Sequence, residues 1–490
     1  MRRAAIAKAV SACALLVGVG VGVASVGCTS ASRAPRATLS VQGVNDAPEA
    51  AHAEPAPKSV DAVAADGRSR APAPEGREDR LIARTLKKVS DARGLAATRG
   101  VPGVTLSREA LIARVKAHVA REIPPVAIRQ EGLVLQLLGF VPLDFDYEAE
   151  TFKLLEAQLA GFYEPSDGTM YMAADLDDDN ADATLAHELV HALQDQHYDL
   201  KPHSKYTPGQ SDKAGAFSAL AEGDATSAMA DVLVGRAAKG KNALDLPEEM
   251  FVAQVLGSVS SGPGASAPHI MRTSLVSPYI QGTLFVHALR RSGGWAAVDR
   301  AWKDLPTTTE QILHAAKYKT HEAALDVPAP AFASLGEGWK LADEDTYGEL
   351  GLRLAFEEWT GADEAAEDAS AWGGDRGVLV TASEGRAALA IRVRYDGADA
   401  GADAHVRKAF ASIASGMETT VGRARAGAKD ASFVCVERPK LGPLSAMRSG
   451  REVVLLVAPT RTDAGSWAAA GDCATARKWA VEILATPALR

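Results

Sequence analysis

Ala186-His-Glu-Leu-Val-His-Ala-Leu193 is the stretch from which the rest of the chain is read. Ala186, Leu189, Val190 and Leu193 recur at helical spacing, so the segment is expected to be an amphipathic helix. On such a helix His187 and His191 stand at i and i+4, and both imidazoles can reach one metal ion. Glu188 lies beside them, where a carboxylate can take a proton from water at that ion. The plainer alternative is a solvated helix whose histidines pair with the acidic run Asp175 to Asp182 before it.

A catalytic site of this type takes three protein ligands, and two candidates follow for the third. His197 comes ten residues after His187, but if the helix continues it lies about 9 Å further along the axis than His191 and off its face. Glu222, in Ala219-Leu-Ala-Glu-Gly-Asp-Ala-Thr226, falls in an apolar-periodic segment running from Ala214 to about Val234. A carboxylate among apolar residues on a second helix is what a His-His-Glu site needs, and Glu222 is the expected ligand. Asp224 either orients a ligand histidine or pairs elsewhere, since on an unbroken helix it points about 200° away from Glu222.

These segments resemble the gluzincin metallopeptidases, which join His-Glu-x-x-His to a glutamate on a downstream helix. The metzincin motif, by contrast, has glycine where this chain has Gln194. Gly161-Phe-Tyr-Glu-Pro165, the run from His187 to His197, Ala221-Glu-Gly-Asp-Ala225 and Thr308-Thr-Glu-Gln-Ile-Leu-His314 are similar to a set in poorly characterised bacterial exported metallopeptidase-like proteins. The resemblance covers residues 80–320, with a weaker echo at Trp372-Gly-Gly-Asp-Arg376. It implies a zincin-like fold, a Zn2+ cofactor on His187, His191 and Glu222, and hydrolysis of a peptide or protein substrate with Glu188 as general base. Better-known gluzincins often carry Asp four residues after the ligand glutamate, where this chain has Thr226. Charge on the reacting carbonyl oxygen needs a donor as well. Tyr279 and His314 are the candidates, against the plain alternatives of a packed aromatic and a core histidine.

Around the site, alternation through Gly161–Met172 about Pro165-Ser-Asp-Gly168 predicts a β-hairpin. Thr169–Ala173 is expected to offer an edge for an extended peptide. Asn180 is a candidate helix N-cap. Residues 79–160 show apolar positions at helical spacing, punctuated by Pro102-Gly103, Pro124-Pro125 and Pro142. Gly293-Gly294-Trp295 reads as a helix C-cap followed by a core aromatic, and Trp372 to Asp375 as a turn. Beyond residue 345 strands are expected at 377–383, 387–395, 431–437 and 452–458, with helices near 404–415 and 474–486. The expected fold class is α+β: a mainly helical, zincin-like domain with a β-hairpin over residues 79–344, then a separate, smaller α+β domain over 345–490.

The 490 residues are 47% hydrophobic and 23% charged, which excludes a wholly disordered or fibrous chain. A net charge of −9 with no basic block leaves no electrostatic footprint for nucleic acid. Arg2, Arg3 and Lys8 precede an apolar run from Ala9 to Val26, the build of a bacterial export signal over residues 1–27. Small residues leading into Cys28 resemble a lipoprotein cleavage site, although Ser25 stands where an aliphatic residue is usual. Lipid on Cys28 would place the chain at the cell envelope, on the outer membrane or cell surface; a signal anchor or plain secretion are the alternatives. Residues 28–78, rich in Ala and Pro, cannot bury a core and read as a tether. Cys435 and Cys473 remain, either as a disulfide or as two separate thiols. The expected function is a zinc metallopeptidase tethered to the envelope. The alternatives are a non-catalytic envelope binding or scaffold lipoprotein on the same fold, and a metal hydrolase acting on a non-peptide amide.

Overall fold

The computed structural model describes residues 76–486 apart from 176–177, 204, 261–262, 398, 423–428 and 464–465. The export signal, Cys28 and the tether up to residue 75 lie outside the described residues, as does the side chain of Asn180. The fold class is α+β.

Helix α1 (Arg77–Arg93) ends at Gly94, whose φ of 76° makes the left-handed turn that stops it. The next segment is not helical throughout, as periodicity had predicted. Strand β1 (Gly103–Leu106) intervenes before α2 (Arg108–Glu122), α3 (Pro125–Leu138) and α4 (Tyr147–Gln158). Four residues are too few to display a period, and β1 takes its conformation from a parallel pairing made 67 residues further on, Gly103 with Met170. Strands β2 (Gly161–Glu164) and β3 (Thr169–Ala173) form the hairpin. The sheet order β1-β3-β2 places β3 in the middle, so the edge expected at Thr169–Ala173 is covered on both sides.

Helices α5 (Asp178–Tyr198), α6 (Ser211–Ala237), α7 (Glu248–Ser260) and α8 (His269–Lys303) follow, then the short α9 (Thr309–Leu313) and α10 (Ala315–Thr320). Non-helical angles at Gly293 and Gly294 break α8, as the paired glycines suggested. Gly223 of α6 faces Gly282 of α8, and Ser227 faces Arg290, so the two helices run side by side in one direction. A Cβ on Gly282 would collide with the Ala219 carbonyl, and one on Gly223 with the Gly282 carbonyl.

The C-terminal part holds β4 (Lys340–Asp345), α11 (Gly348–Glu357), α12 (Ala362–Ala369), β5 (Trp372–Ala382), β6 (Arg386–Tyr395), α13 (Ala400–Thr420), β7 (Lys429–Asp430), β8 (Phe433–Val436), β9 (Leu444–Ser449), β10 (Glu452–Asp463), β11 (Ser466–Ala469) and α14 (Cys473–Ala485). Among the described residues the strands form one antiparallel sheet in the order β4-β5-β6-β10-β9-β8-β7, with β11 on the end of β10. It begins at Lys340, ahead of the expected boundary. Trp372 to Asp375 is strand, not turn: Leu325 N–H donates to the Gly373 carbonyl at 2.6 Å, an approach that a Cβ on Gly374 would obstruct. Asp375 accepts from the backbone N–H of Tyr347 and Gly348 and so caps α11.

Both faces of the sheet are covered, which explains near-continuous apolar strands. Ala388, Ala390, Val454 and Leu456 pack with Trp479 and Ile483 of α14. On the other face Leu389, Ile391, Val453 and Leu455 share one apolar cluster with Val115 of α2, Leu137 of α3 and Leu155 of α4. The helical part and the C-terminal α+β part thus share an apolar cluster. Arg438 extends it by donating to the Leu137 carbonyl at 2.6 Å. Cys435 and Cys473 are joined as a disulfide. Among the described residues no helix is long and apolar enough to cross a membrane.

Candidate metal centre

Helix α5 carries His187 and His191 one turn apart, both turned toward α6. His187 Nε2 lies 3.1 Å from His191 Nε2, and Glu222 Oε2 lies 3.0 Å from the first and 3.4 Å from the second. The three donors face one another closely enough for one small cation to bridge them. Burial opposes charge on His191, but Glu222 and Glu188 outweigh it and raise its pKa to about 9, whereas burial and the neighbouring His191 lower that of His187. The same Glu222 and Glu188 charges attract a metal cation, which competes with that proton.

Glu188 stands beside the pair, with a carboxylate oxygen within 4.8 Å of a ring nitrogen of each. Its Oε2 accepts the backbone N–H of Tyr163 at 2.9 Å, which ties β2 to α5. Tyr279 also reaches the site from α8. Its ring stacks on His187 with centroids 5.8 Å apart, and its hydroxyl bonds to Glu222. Burial, then the Glu222 and Glu188 charges, raise its pKa far above 10, so it stays a donor.

The other candidates sit elsewhere. His197 bonds through Nε2 to the Ala96 carbonyl at 2.8 Å, because α5 continues unbroken to Tyr198. His314 bonds to both oxygens of Glu349 at 2.8 and 3.0 Å, in the layer of α11. That layer meets α6 at Asp212, ten residues and about 15 Å from Glu222, which removes His314 from the carbonyl-oxygen role.

Asp224 works through an intermediary. His191 Nδ1 bonds to Gln194 Oε1 at 2.8 Å, and Gln194 Nε2 donates to the Ala221 carbonyl at 3.0 Å and to Asp224 Oδ2 at 3.3 Å. Arg93 and Trp302 complete the surroundings of Asp224. Sequence reading noticed Gln194 only as the residue that prevents a chain reversal. It had no signal for Arg93 or Trp302, which lie 131 and 78 residues from Asp224.

Residues 338–467 match a family described as a domain of unknown function, DUF8575. The matched segment is the C-terminal sheet with α11 to α13, outside the helices that carry the histidines. No curated protein and no solved structure matches the chain.

Proposed function

We propose that the chain is a zinc-dependent metallopeptidase of gluzincin type, held at the bacterial cell envelope by its N-terminal segment. One observation carries the reading: two imidazole nitrogens and a carboxylate oxygen stand 3.0 to 3.4 Å from one another. Tetrahedral zinc, with ligands at about 2.0–2.2 Å, separates them by about 3.4 Å, so the donors fit in number, type and spacing. Zinc on His187, His191 and Glu222 would supply an acidified water and a polarised scissile carbonyl.

The chain's own groups do the rest. Glu188, oriented by the Tyr163 N–H, takes a proton from water and returns it to the leaving amine. The Tyr279 hydroxyl, bonded to Glu222, turns to donate to the carbonyl oxygen as charge builds on it. The Cys435–Cys473 disulfide supports a compartment outside the cytoplasm, and the export signal with Cys28 supports a lipid anchor there.

A second reading, a metal-holding scaffold without turnover, draws on one observation. None of His187, Glu188, His191 and Glu222 is more than 5% exposed. Zinc content of the purified chain and of Glu188→Gln, followed by assay on a mixed peptide library with and without chelator, separates the two. Cleavage that needs both metal and Glu188 establishes the peptidase. Stoichiometric zinc without cleavage favours the scaffold, and absence of zinc overturns both.

A further inference from the structure

We propose that Arg93, the last residue of α1, is a positioning residue for the metal centre: through Asp224 and Gln194 it fixes the His191 ring with Nε2 turned to the ion. The inference rests on the zinc reading above.

The chain of contacts leaves little freedom. Gln194 Nε2 faces the Ala221 carbonyl and the Asp224 carboxylate, and both can only accept. The amide oxygen is therefore the atom turned to His191 Nδ1, and an acceptor there requires the proton on Nδ1. In the neutral ring that a metal requires, Nε2 is then the nitrogen with the lone pair, the one beside His187 and Glu222.

What holds Asp224 in place is Arg93. The Asp224 carboxylate is fully buried, with Arg93 Nε on Oδ1 at 2.5 Å and Trp302 Nε1 on Oδ2 at 2.8 Å. Arg93 is itself fully buried, pairs with Asp299 at 2.8 Å and lies over the Trp295 ring at 4.5 Å. It is the cation beside this carboxylate, holding Oδ1 through Nε while its Nη2 pairs with Asp299. A neutral side chain in its place leaves Asp224 held by Trp302 alone and weakens one of the two acceptors that orient the Gln194 amide, the other being the Ala221 carbonyl. Partners of this kind change metal affinity by about 10- to 100-fold.

The test uses the full chain, with zinc affinity from chelator competition and selective 15N-histidine spectra of the zinc-loaded protein. Arg93→Met is expected to weaken zinc binding about 10- to 100-fold and to abolish the protected Nδ1–H signal of His191. Gln194→Leu, which removes the amide link and no charge, is expected to do the same. The double variant should bind no more weakly than the weaker single one, because both act along one path. A folded Arg93→Met with wild-type zinc affinity overturns the proposal. Should Arg93→Met not fold, unchanged affinity in Gln194→Leu overturns it instead. Wild-type protein that binds no zinc fails the zinc reading itself, a distinguishable result.

Discussion

Gly223 and Gly282 bring α6 and α8 into backbone contact, and that contact sets the distance between Glu222 and Tyr279. Gly282→Ala should drive the helices apart, lower stability by about 1–3 kcal/mol and weaken zinc binding, measured by thermal melting and chelator competition. Unchanged values for both would show that the crossing tolerates a methyl group.

The two histidines competing for a place at the site separate cleanly. His191→Ala should abolish stoichiometric zinc, whereas His197→Ala should retain it and cost no more than about 1 kcal/mol, the worth of its bond to Ala96. Metal analysis of the two variants decides.

Tyr279→Phe removes the donor and keeps the ring on His187. Turnover should fall about 100-fold with zinc content unchanged, read from kcat and metal stoichiometry. Equal loss of zinc would make the hydroxyl a support of Glu222 instead.

Asp212 joins the two parts of the molecule by donating its N–H to the Thr346 carbonyl at 3.1 Å, while its Oδ1 accepts from Thr309 N–H and Oγ1 at 2.8 and 2.6 Å. Burial, opposed by these bonds, raises its pKa from the ordinary 3.8 to about 7. The folded chain thus holds this proton more tightly than the unfolded one, and stability falls as pH rises from about 4 to about 7. Asp212→Asn keeps an acceptor without the charge. It should melt higher than wild type at pH 8, with the gain vanishing toward pH 4.

Cys435 and Cys473 close a loop across 38 positions. On the chain-entropy account, replacing both by Ser should cost about 4 kcal/mol, visible as a lower denaturation midpoint of the C-terminal sheet.

Local chemistry was legible in the sequence where local spacing carried it. His187 and His191 share a helix, and the Glu222 carboxylate among apolar neighbours comes to meet them. Where a residue's environment comes from far along the chain, the sequence offered less. His314 has the right chemistry for the site, but Glu349, 35 residues on, claims it for another layer. Strand β9 escaped notice because Leu444-Ser-Ala-Met-Arg-Ser449 is short and only weakly apolar, and it exists through pairing with β8 and β10. Arg93 looks like any basic residue at a helix C-terminus until Asp224 and Asp299 are seen around it.

The apolar cluster that joins α2, α3 and α4 to the sheet has a consequence for how this chain can be divided. A fragment cut at the bounds of the family match, residues 338–467, would keep α11 to α13 on one face but leave behind α2 to α4, which share that cluster, and α14, which roofs the other face. Val454 and Leu456 bared where α14 sat, with the other cluster opened where α2 to α4 were, would drive such a fragment into aggregates. The stretch traceable between sequences is thus shorter than the stretch that must be made together for any of it to remain in solution.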